Sequence, residues 1–264
     1  MTAMAVQMPA PGNRGDRESE LTRALAAVRS RLAAAAEAAG RNVTEIELLP
    51  ITKFFPATDV VILSRLGCRA IGESRDQEAS AKVTEVTKLL AAAGRGESDE
   101  LRWHMVGHIQ RNKARSVARW ADTTHSVDSS QLASALDRGV AAALSEGLRT
   151  DPLRVYVQVS LDGDRSRGGV DISTPGSVDQ VCGQVADAKN LELVGLMAIP
   201  PLDWSPDEAF RRLRSEHLRV LEAHPNAVGL SAGMSDDFEI AVKHGSTCVR
   251  VGTALLGPRR LPSP

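Results

Sequence analysis

The feature that most constrains this chain is a change of hydrophobic period that repeats along almost its whole length. Short apolar runs with strand character alternate with segments whose apolar residues recur every three to four positions. That alternation implies a parallel sheet with helices packed outside it. A helix is expected over 17–39, where Leu21, Leu25, Val28 and Leu32 share one face and Gly40 supplies a stop. Strands are expected at 46–52, 69–72, 102–107, 123–127, 155–161, 191–199, 227–230 and 247–251. Between them, Pro56 and Asp59 open a helix that ends at Gly67, and a helix carrying Val83, Val86 and Leu90 ends at Gly94. A basic helix is expected to run through Arg119, and the next carries Leu132, Leu136, Val140 and Leu144. Thr174-Pro175 and Ser205-Pro206 each place a capping residue before a proline suited to the first helical turn. Glu208 completes a capping box with Ser205, and Ser235 is expected to cap a short helix.

Eight strand–helix units in 264 residues match a TIM (β/α)8 barrel in count and size. Only a short segment follows the last strand, so the N-terminal helix is expected to help close the ring. A doubly wound Rossmann sheet is the competing arrangement, but no GxGxxG follows any strand. Nothing in the composition divides the chain. One domain is expected over 17–260, after a disordered tail at 1–16 and with a polar, exposed loop at 95–100.

Composition narrows the function. Lys+Arg 32 against Asp+Glu 33 leaves a formal charge of −1, without the basic excess of a nucleic-acid or acidic-membrane binder. Phe 4, Trp 3 and Tyr 1 are too few for base-stacking platforms. Cys68, Cys182 and Cys248 are far apart, without a CxxC pair, as in a reduced, cytoplasmic protein. The tail has no apolar signal core, no apolar run approaches a membrane span, and the six histidines form no metal-binding motif.

In a TIM barrel the reacting groups gather at the C-terminal ends of the strands. Lys53, Glu73, His108, Asp128, Asp162 and Met197 stand there, followed by Ser231-Ala232-Gly233-Met234-Ser235 and by Gly252-Thr253. The last two segments lie where such barrels hold phosphate on glycine N–H groups and a helix start; taken singly, each also reads as an ordinary turn. Lys53, after a nearly all-apolar strand, is expected to be partly desolvated and able to form an imine, or else to be a surface lysine with its stem along the protein. Lysine and phosphate site together indicate a phosphorylated carbonyl compound, either a sugar phosphate or pyridoxal 5′-phosphate. Arg250 shares a strand face with Gly252. It would keep a pyridine nitrogen unprotonated and weaken the ring as an electron sink, or it would form a structural salt bridge with Asp236 or Glu239. His108 is a site candidate or a structural histidine, and Arg111, Lys113 and Arg115 form a solvated face or a partner surface.

Several long motifs then match one family in order. They are Leu49-Pro50-Ile51-Thr52-Lys53, Ile71-Gly72-Glu73 and Trp103-His104-Met105-Val106-Gly107-His108-Ile109-Gln110-Arg111-Asn112-Lys113. Further on come Gly195-Leu196-Met197-Ala198-Ile199-Pro200, Leu230-Ser231-Ala232-Gly233-Met234-Ser235-Asp236-Asp237 and Val249-Arg250-Val251-Gly252-Thr253. From about Leu21 to Gly257 the chain resembles the YggS/PROSC family of pyridoxal phosphate homeostasis proteins, barrels related to the N-terminal domain of alanine racemase. The resemblance implies pyridoxal 5′-phosphate held as an imine on Lys53, its phosphate on Ser235, Gly252 and Thr253, and Arg250 facing the pyridine nitrogen. Met234 and Ser74 are expected to border the cofactor. Ser74 stands where the family usually has asparagine, and Ser160 replaces an asparagine at the end of strand five.

The expected function is a non-catalytic carrier or buffer of intracellular pyridoxal phosphate, monomeric or weakly dimeric, which hands the cofactor to acceptor enzymes. A racemase-like enzyme is the alternative; it needs acid/base groups on both faces of the substrate carbon. The lone Tyr156 is expected within a strand, and one barrel is expected to fill the 264 residues, without the racemase's second domain. A Schiff-base aldolase is the third reading, and it leaves Arg250 unexplained.

Overall fold

Eight parallel strands make up the ring. They are β1 (Glu47–Pro50), β2 (Ala70–Glu73), β3 (Arg102–Met105), β4 (Thr123–Val127), β5 (Leu153–Ser160), β6 (Leu191–Met197), β7 (Gly229–Ser231) and β8 (Cys248–Val251). The computed structural model describes residues 14–94 and 101–258. Hydrogen bonding runs β1-β8-β7-β6-β5-β4-β3-β2. The open ends meet where Ile51 bridges Gly72 and Thr52 N–H donates to the Gly72 carbonyl at 3.0 Å. The barrel expected from the alternation is therefore present as a single domain. The sugar-chemistry and racemase alternatives share this fold, so only the site separates them.

Helices α1 (Arg14–Ala38), α2 (Ala57–Arg65), α3 (Asp76–Ala92), α4 (Ala114–Val117), α5 (Ser130–Ser145), α6 (Ser177–Ala186), α7 (Pro206–Ala223), α8 (Phe238–Lys243) and α9 (Thr253–Leu256) surround the strands. Leu21, Leu25, Val28 and Leu32 are all buried, and α1 packs on α2, α8 and α9. It covers the gap that the four-residue α9 is too short to cover. The helix begins at Arg14, so residues 14–16, expected in the tail, are helical. Asp16 favours the positive end of the helix dipole, and Arg17 pairs with Asp59 of α2 at 2.6 Å. Residues 1–13, the polar loop expected at 95–100 and residues 259–264 lie outside the described residues.

Three local expectations need correction. The basic helix is a 3-10 turn, Arg111–Lys113, followed by the single turn of α4; Gly139 of α5 packs so close to the α4 backbone that an added Cβ would lie 3.1 Å from it. The helix after β5 starts at Ser177, not at Thr174-Pro175, because Gly176 takes φ +73 and breaks the helical path. The intervening loop holds a two-residue strand, Val170–Asp171, paired to β5. Ser235 does not cap α8, whose N-cap is Asp237. Of the capping box expected at Ser205, the serine half is formed: its hydroxyl accepts from Glu208 N–H at 3.3 Å.

The ring interior is unusually polar. Leu49, Ile51, Ala70 and Cys248 form one small apolar cluster, and Tyr156, Val194 and Met197 another. His104, His125, Gln158, Ser231 and Arg250 are buried beside them. Between β6 and β7 the backbones nearly touch: Gly195 has φ +154, and a Cβ there would lie 1.7 Å from the Gly229 carbonyl oxygen. Among the described residues no helix is long and apolar enough to cross a membrane.

Candidate functional site

The mouth of the barrel is formed by the C-terminal strand ends, and adjacent strands β1 and β8 set its main edge. Ile51 N–H donates to the Val251 carbonyl at 2.9 Å, which puts the segment leading to Lys53 beside Gly252. A Cβ on Gly252 would meet only Ile51, at 3.6 Å and beyond. Lys53 is exposed in the turn that follows. The partial burial expected for it is absent, because the chain turns outward there through Phe54 at φ +69.

The residues flanking Lys53 are fixed in place. Thr52 Oγ1 donates to Glu73 Oε1 at 2.6 Å, Lys82 Nζ donates to the same oxygen at 2.6 Å and to the Thr52 carbonyl at 2.9 Å, and Phe54 N–H donates to Glu78 Oε1 at 2.9 Å. Burial pushes the Glu73 carboxyl above the ordinary carboxylate range, against the pull of Lys82 and Thr52.

The two glycine loops after β7 and β8 come together. Gly233, at φ +90, packs on α8 so closely that a Cβ would lie 2.7 Å from the Phe238 Cα. Its carbonyl accepts from Arg250 N–H at 3.0 Å. Ser235, buried, accepts from Ala254 N–H of α9 at 3.2 Å. The hydroxyl expected to cap the local helix instead ties its loop to the next one. Thr253 opens α9 and is exposed, as is Met234, whose N–H donates to Asp237 Oδ1 at 2.6 Å.

Arg250 points inward from β8 and is 6 % exposed. Its Nη1 donates to Ser231 Oγ at 2.6 Å and its Nη2 to the Ala198 carbonyl at 3.0 Å. The salt bridge to Asp236 or Glu239 is not formed; Glu239 pairs with Arg31 at 2.7 Å. Without a carboxylate contact, burial lowers the guanidinium pKa.

Behind Ser231 runs a chain that sequence reasoning missed. His125 Nδ1 lies 2.8 Å from Ser231 Oγ, and His125 Nε2 lies 3.0 Å from His104 Nδ1. Burial holds both imidazoles neutral, His104 down to about 3 and His125 well below its ordinary value. His104 Nε2 has no partner. The network therefore assigns a proton to His104 Nδ1 and to His125 Nδ1, since a buried acceptor is left unpaired at lower cost than a buried N–H. The available signal was β4 itself, Thr-Thr-His-Ser-Val, a polar strand that is wholly buried.

Tyr156 stacks on His125 with ring centroids 4.5 Å apart, and burial drives its phenol pKa upward. Its ring lies in the barrel interior, packed with Val194 and Met197. Ser74, His108 and Lys113 line a separate cavity between the β2 and β3 ends, where Gly107 abuts the Ser74 backbone. His108 Nδ1 is 3.9 Å from Asp128. Arg115 and Arg119 are absorbed by Glu146, at 2.7 and 2.6 Å. Among the described residues no group of three His, Cys, Asp or Glu side chains could hold a metal ion.

Fold and mouth together define a single-domain barrel of the alanine racemase N-terminal domain class, and the model of that family matches residues 24–260. The chain is 75% identical over 249 residues to the pyridoxal phosphate homeostasis protein of Mycobacterium tuberculosis, covering 94% of this chain and 96% of the relative. It belongs to the family of pyridoxal phosphate homeostasis proteins. The structure of PipY from Synechococcus elongatus with pyridoxal phosphate bound matches with a TM-score of 0.73 at 31% identity, over 90% of this chain and all of that one. An alanine racemase from Clostridium difficile shares the fold at 17% identity, TM-score 0.63, over 93% of this chain and 58% of its own.

Proposed function

We propose that this chain binds pyridoxal 5′-phosphate on Lys53 and serves its homeostasis as a carrier or buffer rather than as an enzyme. The observation that carries this reading is the convergence of three unlike groups on one edge of the mouth. Lys53 follows β1, the Ser235 and Gly252-Thr253 loops are joined beside it, and Arg250 lies below them held only by neutral acceptors. When bound, the cofactor supplies an aldehyde that reacts with amines and a ring that withdraws electrons best when its nitrogen is protonated.

The residues suit each part of that molecule. An exposed lysine meets an aldehyde, while hydroxyls and loop N–H groups meet a phosphate. Arg250 cannot give up its proton readily, so toward a ring nitrogen it donates and leaves that nitrogen unprotonated. This favours holding the cofactor over driving carbanion chemistry on it. The PipY structure with bound pyridoxal phosphate and the shared family name support the same reading. The described mouth offers no tyrosine to work opposite Lys53, since the single Tyr156 is buried inside the ring, stacked on His125. A cytoplasmic setting suits the three free, buried thiols. Transfer to acceptor enzymes by a monomer or weak homodimer completes the proposal.

The test is an absorbance spectrum and intact mass of the full chain mixed with pyridoxal 5′-phosphate, before and after borohydride. A pyridoxyl adduct mapped to Lys53 and lost in Lys53→Ala is expected. No adduct, or one unchanged in Lys53→Ala, overturns the reading. Rapid Lys53-dependent exchange of amino-acid α-hydrogen in deuterated water would establish an enzyme instead.

A further inference from the structure

One buried ion pair holds the residue just before Lys53, and cofactor binding as described above makes no use of it. Glu73, at the end of β2, is 0 % exposed, and Lys82, almost two turns into α3, is 7 % exposed. Lys82 Nζ reaches Glu73 Oε1 at 2.6 Å and the Thr52 carbonyl at 2.9 Å, while Thr52 Oγ1 reaches the same Glu73 oxygen at 2.6 Å. On the far side, Phe54 N–H bonds Glu78 Oε1, which lies 4.0 Å from Lys82 Nζ. Phe54 is held at φ +69, a conformation that a phenylalanine adopts only when its surroundings impose it.

A buried ion pair is a poor device for stability alone, because desolvation offsets its attraction and an apolar pair of equal volume serves as well. This one also leaves Glu73 Oε2 buried without a partner. What it does accomplish is specific. It grips both the carbonyl and the hydroxyl of Thr52, so the residue before the reactive amine has no rotational freedom left. We propose that Glu73 and Lys82 are positioning residues for Lys53. They fix the Thr52–Phe54 turn so that the lysine side chain departs from a single backbone geometry beside the β8 loop. This inference rests on Lys53 being the point of covalent attachment. The pair touches the lysine's neighbours, so its effect is on how fast the amine attaches, since displacement of a reacting group by about 1 Å can cost on the order of a hundredfold.

The experiment follows the rate of covalent attachment of pyridoxal 5′-phosphate to the full chain, with borohydride trapping and mass mapping at each time point. Melting temperature is measured in parallel. Lys82→Met is expected to slow attachment about ten- to a hundredfold and to lower the melting temperature, because it strands a buried carboxyl. The double variant Glu73→Gln/Lys82→Met removes both charges. It is expected to recover the melting temperature while attachment stays slow. Thr52→Val, which leaves the ion pair in place, is expected to slow attachment, and Thr52→Ser to restore it. A wild-type rate in the double variant, or equal rates in Thr52→Val and Thr52→Ser, overturns the proposal and leaves the carrier reading intact. A wild-type protein that forms no adduct overturns the carrier reading and this inference with it.

Discussion

Arg250 shows how much one buried side chain can depend on strands far away in sequence. Its two acceptors come from the end of β7 and from the residue just after β6, and behind the first stands the neutral His125–His104 pair. A guanidinium held by hydroxyl and carbonyl oxygens keeps its full charge for a ligand, whereas a carboxylate would have spent it. Arg250→Leu is therefore expected to raise the dissociation constant for pyridoxal 5′-phosphate about ten- to a hundredfold, the loss of one charge-assisted hydrogen bond of roughly 1.5–3 kcal/mol. Fluorescence titration in a Lys53→Ala background would separate this from covalent attachment. An unchanged constant would show that the guanidinium does not face the cofactor. The alternation of β8 put Arg250 on the inner face in the sequence; its partners were not legible, because no local pattern reports contacts across the ring.

Among the elements, α1 carries the largest non-local load. Its apolar stripe replaces the helix that would have followed β8, and each fully buried leucine there is worth roughly 1.5–3 kcal/mol of transfer free energy. Leu25→Ala is expected to cost about 2–5 kcal/mol once the residual cavity is included, measured by urea unfolding. Gly195→Ala is expected to prevent folding to the native state, judged by loss of soluble expression and of the far-ultraviolet circular dichroism spectrum. Its Cβ would lie 1.7 Å from a backbone oxygen that cannot move without parting β6 from β7. The helix starts differ for a related reason. Ser205 caps its own helix because Pro206 and Glu208 agree with it locally, whereas Ser235 is recruited by Ala254 of α9.

For the whole molecule, the buried imidazoles set a pH dependence. His104 is held down to about 3 and His125 well below its ordinary value by burial. In the unfolded chain each takes up a proton near 6.5, and in the folded chain neither does until far lower pH. Their contribution to stability is therefore complete above about 6.5 and is lost as pH falls toward each ring's depressed folded value, about 3 for His104, at roughly 1.4 kcal/mol per pH unit for each imidazole. Unfolding free energies at pH 7 and pH 5 should differ by several times the difference seen in a His104→Asn/His125→Asn variant. Glu73, held above its ordinary range by burial, works in the opposite direction, adding stability as pH falls from its raised folded value toward its ordinary one. A stability that does not change from pH 7 to pH 5 would mean the two rings are hydrated.

The sequence by itself determined the barrel, its single-domain organisation, the use of α1 as the closing helix and the positions of Lys53, Arg250 and the two glycine loops at strand ends. These follow from hydrophobic period, capping and strand alternation, all of which act over a few residues. The tertiary structure alone decided that Ser235 bonds α9, that Arg250 rests on Ser231 and Ala198, and that His104 and His125 continue inward from it. It also decided that Glu73 and Lys82 grip Thr52. Each of these is a hydrogen bond between elements that meet only when the ring closes. Closure takes such groups out of water and makes every buried polar atom find whatever partner the neighbouring strand presents.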